Sequence, residues 1–236
     1  MKERGMIFNG EMVRAILDGR KTQTRRIVKG TDGAVKFCKE WDINGEEIFV
    51  VLGEKDHTGM NPVLGALSCP FGAVGDRIWV REAFRVHSRA TDVATLVYKA
   101  SERNSWTEQT HRVPVAVCNK PATPEKWTPS LHMPRWASRI LLEITDVRVE
   151  RLNAISPEDA ESEGLERTNF TGFGDEPGLP SYPEPDVYFD PLKKQWKEYP
   201  PEAFAGLWES IYGEGSWLAN PWVWVIEFKR VEGGAA

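Results

Sequence analysis

Apolar residues recur at helical spacing in Met12, Val13, Ile16 and Leu17, and Gly19 follows. The first element this predicts is a short helix with a glycine at its C-terminal end. Arg20-Lys21-Thr22-Gln23-Thr24-Arg25-Arg26 comes next, polar and basic, and reads as a loop or a strand start. Periodicity is weaker from 30 to 72, where Ile48–Leu52 reads as a strand and the Gly, Asn and Pro around 59–65 as loop. In 76–84 (DRIWVREAF), Ile78 and Val80 alternate with Trp79 and Arg81, a strand entered from a Gly75-Asp76 turn. Thr95–Lys99 and Val113–Val117 are shorter strand candidates. The clearest strand is Ser138–Val149, with Ile140, Leu142 and Ile144 on one face and Leu141, Glu143 and Thr145 on the other. In Trp222–Val231 both faces begin apolar, so its first half is predicted to be buried on both sides.

Two further helices are legible. Ser156-Pro157-Glu158-Asp159 combines an N-cap serine, proline at the first helical position and an acid three residues after the cap. That helix is predicted to run to about Glu163 and stop near Gly164. Pro201–Tyr212 carries Phe204, Leu207, Trp208 and Ile211 as a core-facing stripe, ended by Gly213. Between these helices, 168–191 holds five prolines and three glycines and reads as an excursion or flap, because a core helix and a core strand follow it. Many short strands with few helices predict an α+β fold with a curled or closed sheet. Residues 1–236 read as one domain with insertions near 30–72, 85–135 and 168–191.

Hydrophobic residues make up 41% of the 236-residue chain, enough for a core, yet no apolar run reaches membrane-spanning length. Met1–Gly10 lacks the apolar stretch of a signal peptide, so the expected location is the cytoplasm, without membrane contact. Cys38, Cys69 and Cys118 are odd in number and lack paired spacing, and the four histidines are scattered. A disulfide framework and a metal site are therefore not expected, and no cofactor is implied. The formal charge is −5, but residues 1–29 carry eight Lys or Arg against three acids, and 150–215 carry fifteen acids against five bases. A protein that coats DNA needs broad positive charge. Any nucleic-acid contact here should be local, near the basic N-terminal cluster. The ten tryptophans supply core bulk first and base-stacking surface second.

The candidate chemistry starts at Lys21. Arg20, Arg25 and Arg26 lie close in sequence; like charge and burial both lower a lysine pKa, and a neutral amine can act as a base. Thr24 is a nucleophile only if a base takes its proton. In a regular strand positions i and i+3 point to opposite faces, so contact between Lys21 and Thr24 needs a bend. Glu163 falls in the last turn of the short acidic helix, a setting suited to delivering a proton to a leaving amine. Trp127–Arg139 offers a second wall, with His132, Arg135, Trp136 and Arg139 able to stack on bases or hold phosphates.

Gly19-Arg20-Lys21-Thr22-Gln23-Thr24-Arg25-Arg26 resembles the G-x-K-T-x-T-x-R signature of ASCH domains, of the PUA-like group. Gly75–Val80 looks like the family's G-D-x-[IL]-x-V strand entry, Ile155–Leu165 (ISPEDAESEGL) is similar to its acidic helix, and Val225-Ile226-Glu227-Phe228 looks like its closing strand. The four motifs stand in the family's order and bracket residues 6–231. The chain also resembles larger phage and prophage ASCH proteins, in stretches similar to Met6–Phe8, Ser130–Ala137 and Asn220–Trp222. This resemblance implies a small mixed PUA-like β-barrel with flanking helices and long insertions. It also implies a metal-independent hydrolase of N4-acetylcytidine type, with Lys21 as base, Thr24 as nucleophile, Glu163 as assisting acid and Arg26 as the signature arginine. An acyl-enzyme on Thr24 would be released by water. Arg20, Arg25 and Arg26 are the expected contacts to a modified nucleoside or RNA. Two other activities are compatible with the family: a non-catalytic module that binds RNA or a modified base, and a ribonuclease. Oligomeric state is left open.

Overall fold

The computed structural model describes residues 1–168 and 187–231. Strand β1 (Glu3–Ile7), helix α1 (Gly10–Leu17) and strand β2 (Gln23–Ile27) open the chain. Helix α1 forms where the apolar spacing predicts it. Asn9 caps it by accepting from the Met12 N–H at 2.8 Å, and Gly19 turns the chain out at φ +77°. Strands β3 (Lys36–Trp41), β4 (Glu47–Leu52) and β5 (Val63–Leu67) make an antiparallel sheet. Strand β5 occupies part of the stretch expected to be loop. The strand predicted at 76–84 is broken by Glu82 and Ala83 into β6 (Arg77–Arg81) and β7 (Phe84–Arg89). Strand β7 then joins β8 (Val93–Tyr98), the short helix α2 (Trp106–Gln109) and β9 (Thr110–Pro114) in a separate three-stranded unit. The long strand β10 (Leu141–Arg151), helix α3 (Pro157–Ser162) and β11 (Arg167–Thr168) follow. Strands β12 (Val187–Asp190) and β13 (Gln195–Lys197), helix α4 (Pro200–Tyr212) and β14 (Trp222–Arg230) complete the chain. Most of the predicted excursion, 169–186, lies outside the described residues; its end, 187–190, is β12.

The central sheet runs β1-β6-β10-β14-β2, with β1 parallel to β6 and the other pairs antiparallel. One face carries Ile78, Leu142, Ile144, Ile226 and Phe228, packed against Val13 and Ile16 of α1. The opposite face carries Val223 and Val225 under Phe204, Leu207 and Trp208 of α4. Strand β14 is thus buried on both sides, as its doubly apolar start requires. A smaller core, including Phe84, Leu96, Tyr98 and Met133, lies beneath the β7–β8–β9 sheet.

The fold is α+β, but the sheet does not close into a barrel: among the described residues β1 and β2 remain its edges. A side chain fills the place of the missing ladder. Arg26 donates to the Ile7 carbonyl at 3.0 Å and lies over the Phe8 ring, 5.5 Å from its centroid. Among the described residues no helix is long and apolar enough to cross a membrane.

Helix α4 seats against β12 through a glycine. A Cβ on Gly206 would lie 1.9 Å from Oδ1 of Asp190, whose buried carboxylate accepts the Leu192 and Lys193 N–H groups at 2.9 and 3.0 Å. Gly206→Ala must therefore displace that carboxylate or lift the helix. Thermal unfolding should show a loss of about 1–3 kcal/mol, the usual cost of overpacking.

Candidate functional site

The chain between α1 and β2 is clamped against the end of α3. Ser156 caps α3 by accepting from the Asp159 N–H at 3.1 Å, and Pro157 occupies the first turn. The helix ends at Glu163 and Gly164 turns the chain away at φ +86°. Lys21 forms an isolated antiparallel bridge with Glu163, and the Thr22 N–H donates to the Ser162 carbonyl at 2.9 Å. Gly164 permits this approach: a Cβ there would stand 2.7 Å from Lys21 Cβ and 2.8 Å from Ala15 Cβ. The Lys21 side chain passes beneath the helix end, and its Nζ donates to the Glu163 carbonyl at 2.8 Å and to Oε2 at 2.6 Å. The Lys21 and Glu163 side chains are 0% and 3% exposed.

Arg25 lies on the same side of β2. Its guanidinium reaches Glu163 Oε1 at 3.2 Å and Asp159 Oδ2 at 2.8 Å, and it lies over the Phe204 ring at 5.8 Å. Gln23, two positions earlier, donates to Asp159 Oδ1 at 3.1 Å and to Glu227 Oε1 at 3.2 Å. Across β14, Arg148 faces the same cluster; it pairs with Asp159 at 2.8 Å and also with Glu227. The register explains the convergence: Arg148 and Arg25 both pair with Val225, from opposite sides of β14. Glu163 therefore sits between two cations, Lys21 and Arg25, and not beside Asp159 alone as on an isolated acidic helix.

Burial drives the Lys21 pKa below its ordinary value. The charge and hydrogen bond of Glu163 pull the other way, and Arg26 and Arg25 add to the lowering. Asp159 is partly desolvated, which opposes ionisation, but the Gln23 hydrogen bond and the charges of Arg25 and Arg148 hold its carboxyl below the usual range. For Lys21 the unfolded chain binds more protons than the folded one between the lowered value and 10.5, so stability rises with pH across that window. Denaturant titrations of wild type and Lys21→Met over that range should show the wild-type rise, and the variant should lack this contribution.

Thr24 does not join the pair. Cross-strand neighbours share a face; Thr24 pairs with Ile226, on the α1 side of the sheet, whereas Arg25 pairs with Val225, on the α4 side. Thr24 is buried at 1% exposure. Gln23–Ile27 is regular strand, and no side-chain hydrogen bond joins Thr24 to Lys21 or Glu163 among the described residues. Arg25 is buried in the carboxylate cluster, which removes it from any nucleic-acid surface. Arg26 fills the sheet seam. Arg20 stays at the rim, donating to the Gly164 and Leu165 carbonyls at 2.9 and 3.0 Å and pairing with Asp18 at 3.1 Å.

The expected second wall is dispersed. Arg139 grips the buried Glu82 at 2.9 and 3.0 Å and donates to Ser101 Oγ at 2.9 Å. Trp136 packs edge-on against Phe84, Arg135 pairs with Glu3 at 2.8 Å, and His132 is exposed in a single helical turn. The concavity at the site lies elsewhere. A cavity of about 950 Å³ runs between α1, the Lys99–Asn104 turn and the end of α3, with Arg14, Arg20, Glu82, Ser130, Glu163 and Phe189 in its lining. Glu163 lines it, and Lys21 lies directly behind Glu163. Among the described residues no cluster of His, Cys, Asp and Glu could hold a metal ion.

No protein-family model, curated protein or solved structure matches the chain. The resemblance to ASCH domains rests on its four sequence motifs.

Proposed function

We propose that the chain is an ASCH-like, PUA-related hydrolase acting on a nucleoside or nucleic-acid base, and that it cleaves an acyl amide of N4-acetylcytidine type. The observation that carries this reading is the buried Lys21–Glu163 pair behind the wall of a cavity large enough for a nucleoside. A lysine with a lowered pKa, hydrogen bonded to a carboxylate, is a proton-transfer pair of the kind acyl hydrolysis needs. In this mechanism water attacks the acyl carbon and gives a proton to the pair. The C–N bond then breaks, and the pair returns the proton to the departing cytosine amine. Water is the favoured nucleophile, because Thr24 points to the other face of β2. Arg25 holds Glu163 in place from the side opposite Lys21.

The position of Thr24 also favours a second reading, in which the same cavity binds RNA or a modified base without turnover. Incubation with N4-acylated cytidines and short RNAs, read by mass, separates the two. Release of the free acid and cytidine supports the hydrolase. Bound but intact ligand supports the binding module. Strands ending in 2′,3′-cyclic phosphate would instead assign a ribonuclease.

A further inference from the structure

We propose that the outer face of the β7–β8–β9 sheet is a platform for single-stranded nucleic acid, separate from the cavity at Glu163. The charge of this unit is unlike that of the rest of the chain. Residues 85–127 carry seven Lys or Arg against four acids, a balance of +3 in a protein of net charge −5. None of these seven cations has a carboxylate within 4.0 Å among the described residues, whereas Arg25, Arg139 and Arg148 are each held by acids. These cations do not all share one face: Lys99 and Arg103 line the cavity, and Arg89 pairs with the core residue Ala94, whereas Arg85 and Arg112 lie on the outer face, where two cations without an acid make a local polyanion site on an acidic protein.

The register shows what the face presents. Thr128 bridges Phe84, which sets Trp127 beside Arg85, and Arg85 pairs with Val97. Val97 pairs with Thr110, so these side chains form one row across the sheet; Val97 at its centre is covered, at 1% exposure, and Trp127 and Thr110 are half-buried at its ends. Two residues further along β8 and β9, Thr95 pairs with Arg112, on the same face. The Arg85 guanidinium lies over the Trp127 ring, 4.5 Å from its centroid, and its Nε is buried without a hydrogen-bond partner. His87 stands beside Trp106, centroids 5.0 Å apart; its Nδ1 is likewise unpartnered, and Trp106 is 52% exposed. The Arg85–Trp127 pair on the sheet, Trp106 on α2 beside it and the exposed Arg112 match the stacking and backbone-tracking groups that single strands require. The four strands, from the Trp127 segment to β9, span about 14 Å at about 4.8 Å per strand, room for roughly two or three stacked bases. A duplex hides its base faces and fits this platform poorly.

The test is fluorescence anisotropy of the full chain with labelled oligonucleotides of about 12 nucleotides: unstructured RNA, the same sequence as DNA, and the duplex. The expected result is single-strand binding that weakens as salt rises from 50 to 200 mM, with the duplex weaker. Arg112→Gln and Trp106→Ala alter exposed side chains and leave the fold intact. Arg112→Gln should lower the salt slope by about 0.7, and Trp106→Ala should weaken binding by about tenfold. Lys193→Gln, outside the unit, should change nothing. The RNA and DNA arms decide which strand the platform prefers. Absence of single-strand binding at 50 mM salt, unchanged affinity in both face variants, or equal capture of polyglutamate would overturn the proposal. Cleavage of N4-acetylcytidine should be unaffected by Arg112→Gln, so failure here is distinguishable from failure of the hydrolase reading.

Discussion

Glu163→Gln is expected to lower the rate of N4-acetylcytidine hydrolysis by roughly 10² to 10⁴-fold, the usual contribution of a positioned acid or base. The substitution keeps the shape of the side chain and an oxygen for Lys21, while its NH2 meets the Arg25 guanidinium, so stability falls but the fold beneath α3 is kept. It removes the capacity to accept and return a proton. Circular dichroism and ligand binding should match wild type, with the loss confined to kcat. Thr24→Val is the companion measurement. With water as the attacking group, this variant should retain turnover within a few-fold of wild type. Loss as complete as in Glu163→Gln would return the nucleophile role to the Thr24 hydroxyl.

Lys21→Ala should be the most destabilising single change at the site, at about 3–5 kcal/mol, the cost of breaking a buried ion pair from one side. Two effects combine. The Glu163 carboxylate loses its closest cation, at 2.6 Å, and keeps only Arg25 at 3.2 Å. The fully buried lysine stem beyond Cβ also vanishes, although the Cβ that meets Gly164 remains. Urea denaturation of the two proteins at neutral pH reads the difference. Lys21→Met restores the stem without the charge and should recover part of the loss, separating packing from pairing.

Much of this arrangement was legible in the residues. Helix α1 and its Gly19 exit follow from apolar spacing, and α3 from its serine, proline and acid in order. Strand β14 follows from an apolar run too rich for one face. Lys21 and Glu163 were both identifiable, and the structure joins them across 142 positions. The failures have specific physical causes. Short strands such as β3 (Lys36–Trp41) are mostly exposed, with no buried residue, so they leave no alternating pattern. Pairing with β4 defines them instead. Sheet closure depends on whether two edges meet, and here Arg26 lies between them. Arg25 and Arg139 looked like free cations because their acids, Asp159 and Glu82, lie 134 and 57 positions away. The alternation of Asp146, Arg148 and Glu150 along β10 was an available signal: polar residues at every second place in a core strand mark a half-buried polar face, here 28–40% exposed.

The most direct test of the central claim is a side-by-side turnover assay on N4-acetylcytidine with wild type and Lys21→Met, reading free cytidine. Wild type should release cytidine over many turnovers, and the folded variant should release almost none. Equal release by both proteins, or intact substrate with wild-type protein across a panel of N4-acyl cytosines, would contradict the assignment of proton transfer to the Lys21–Glu163 pair.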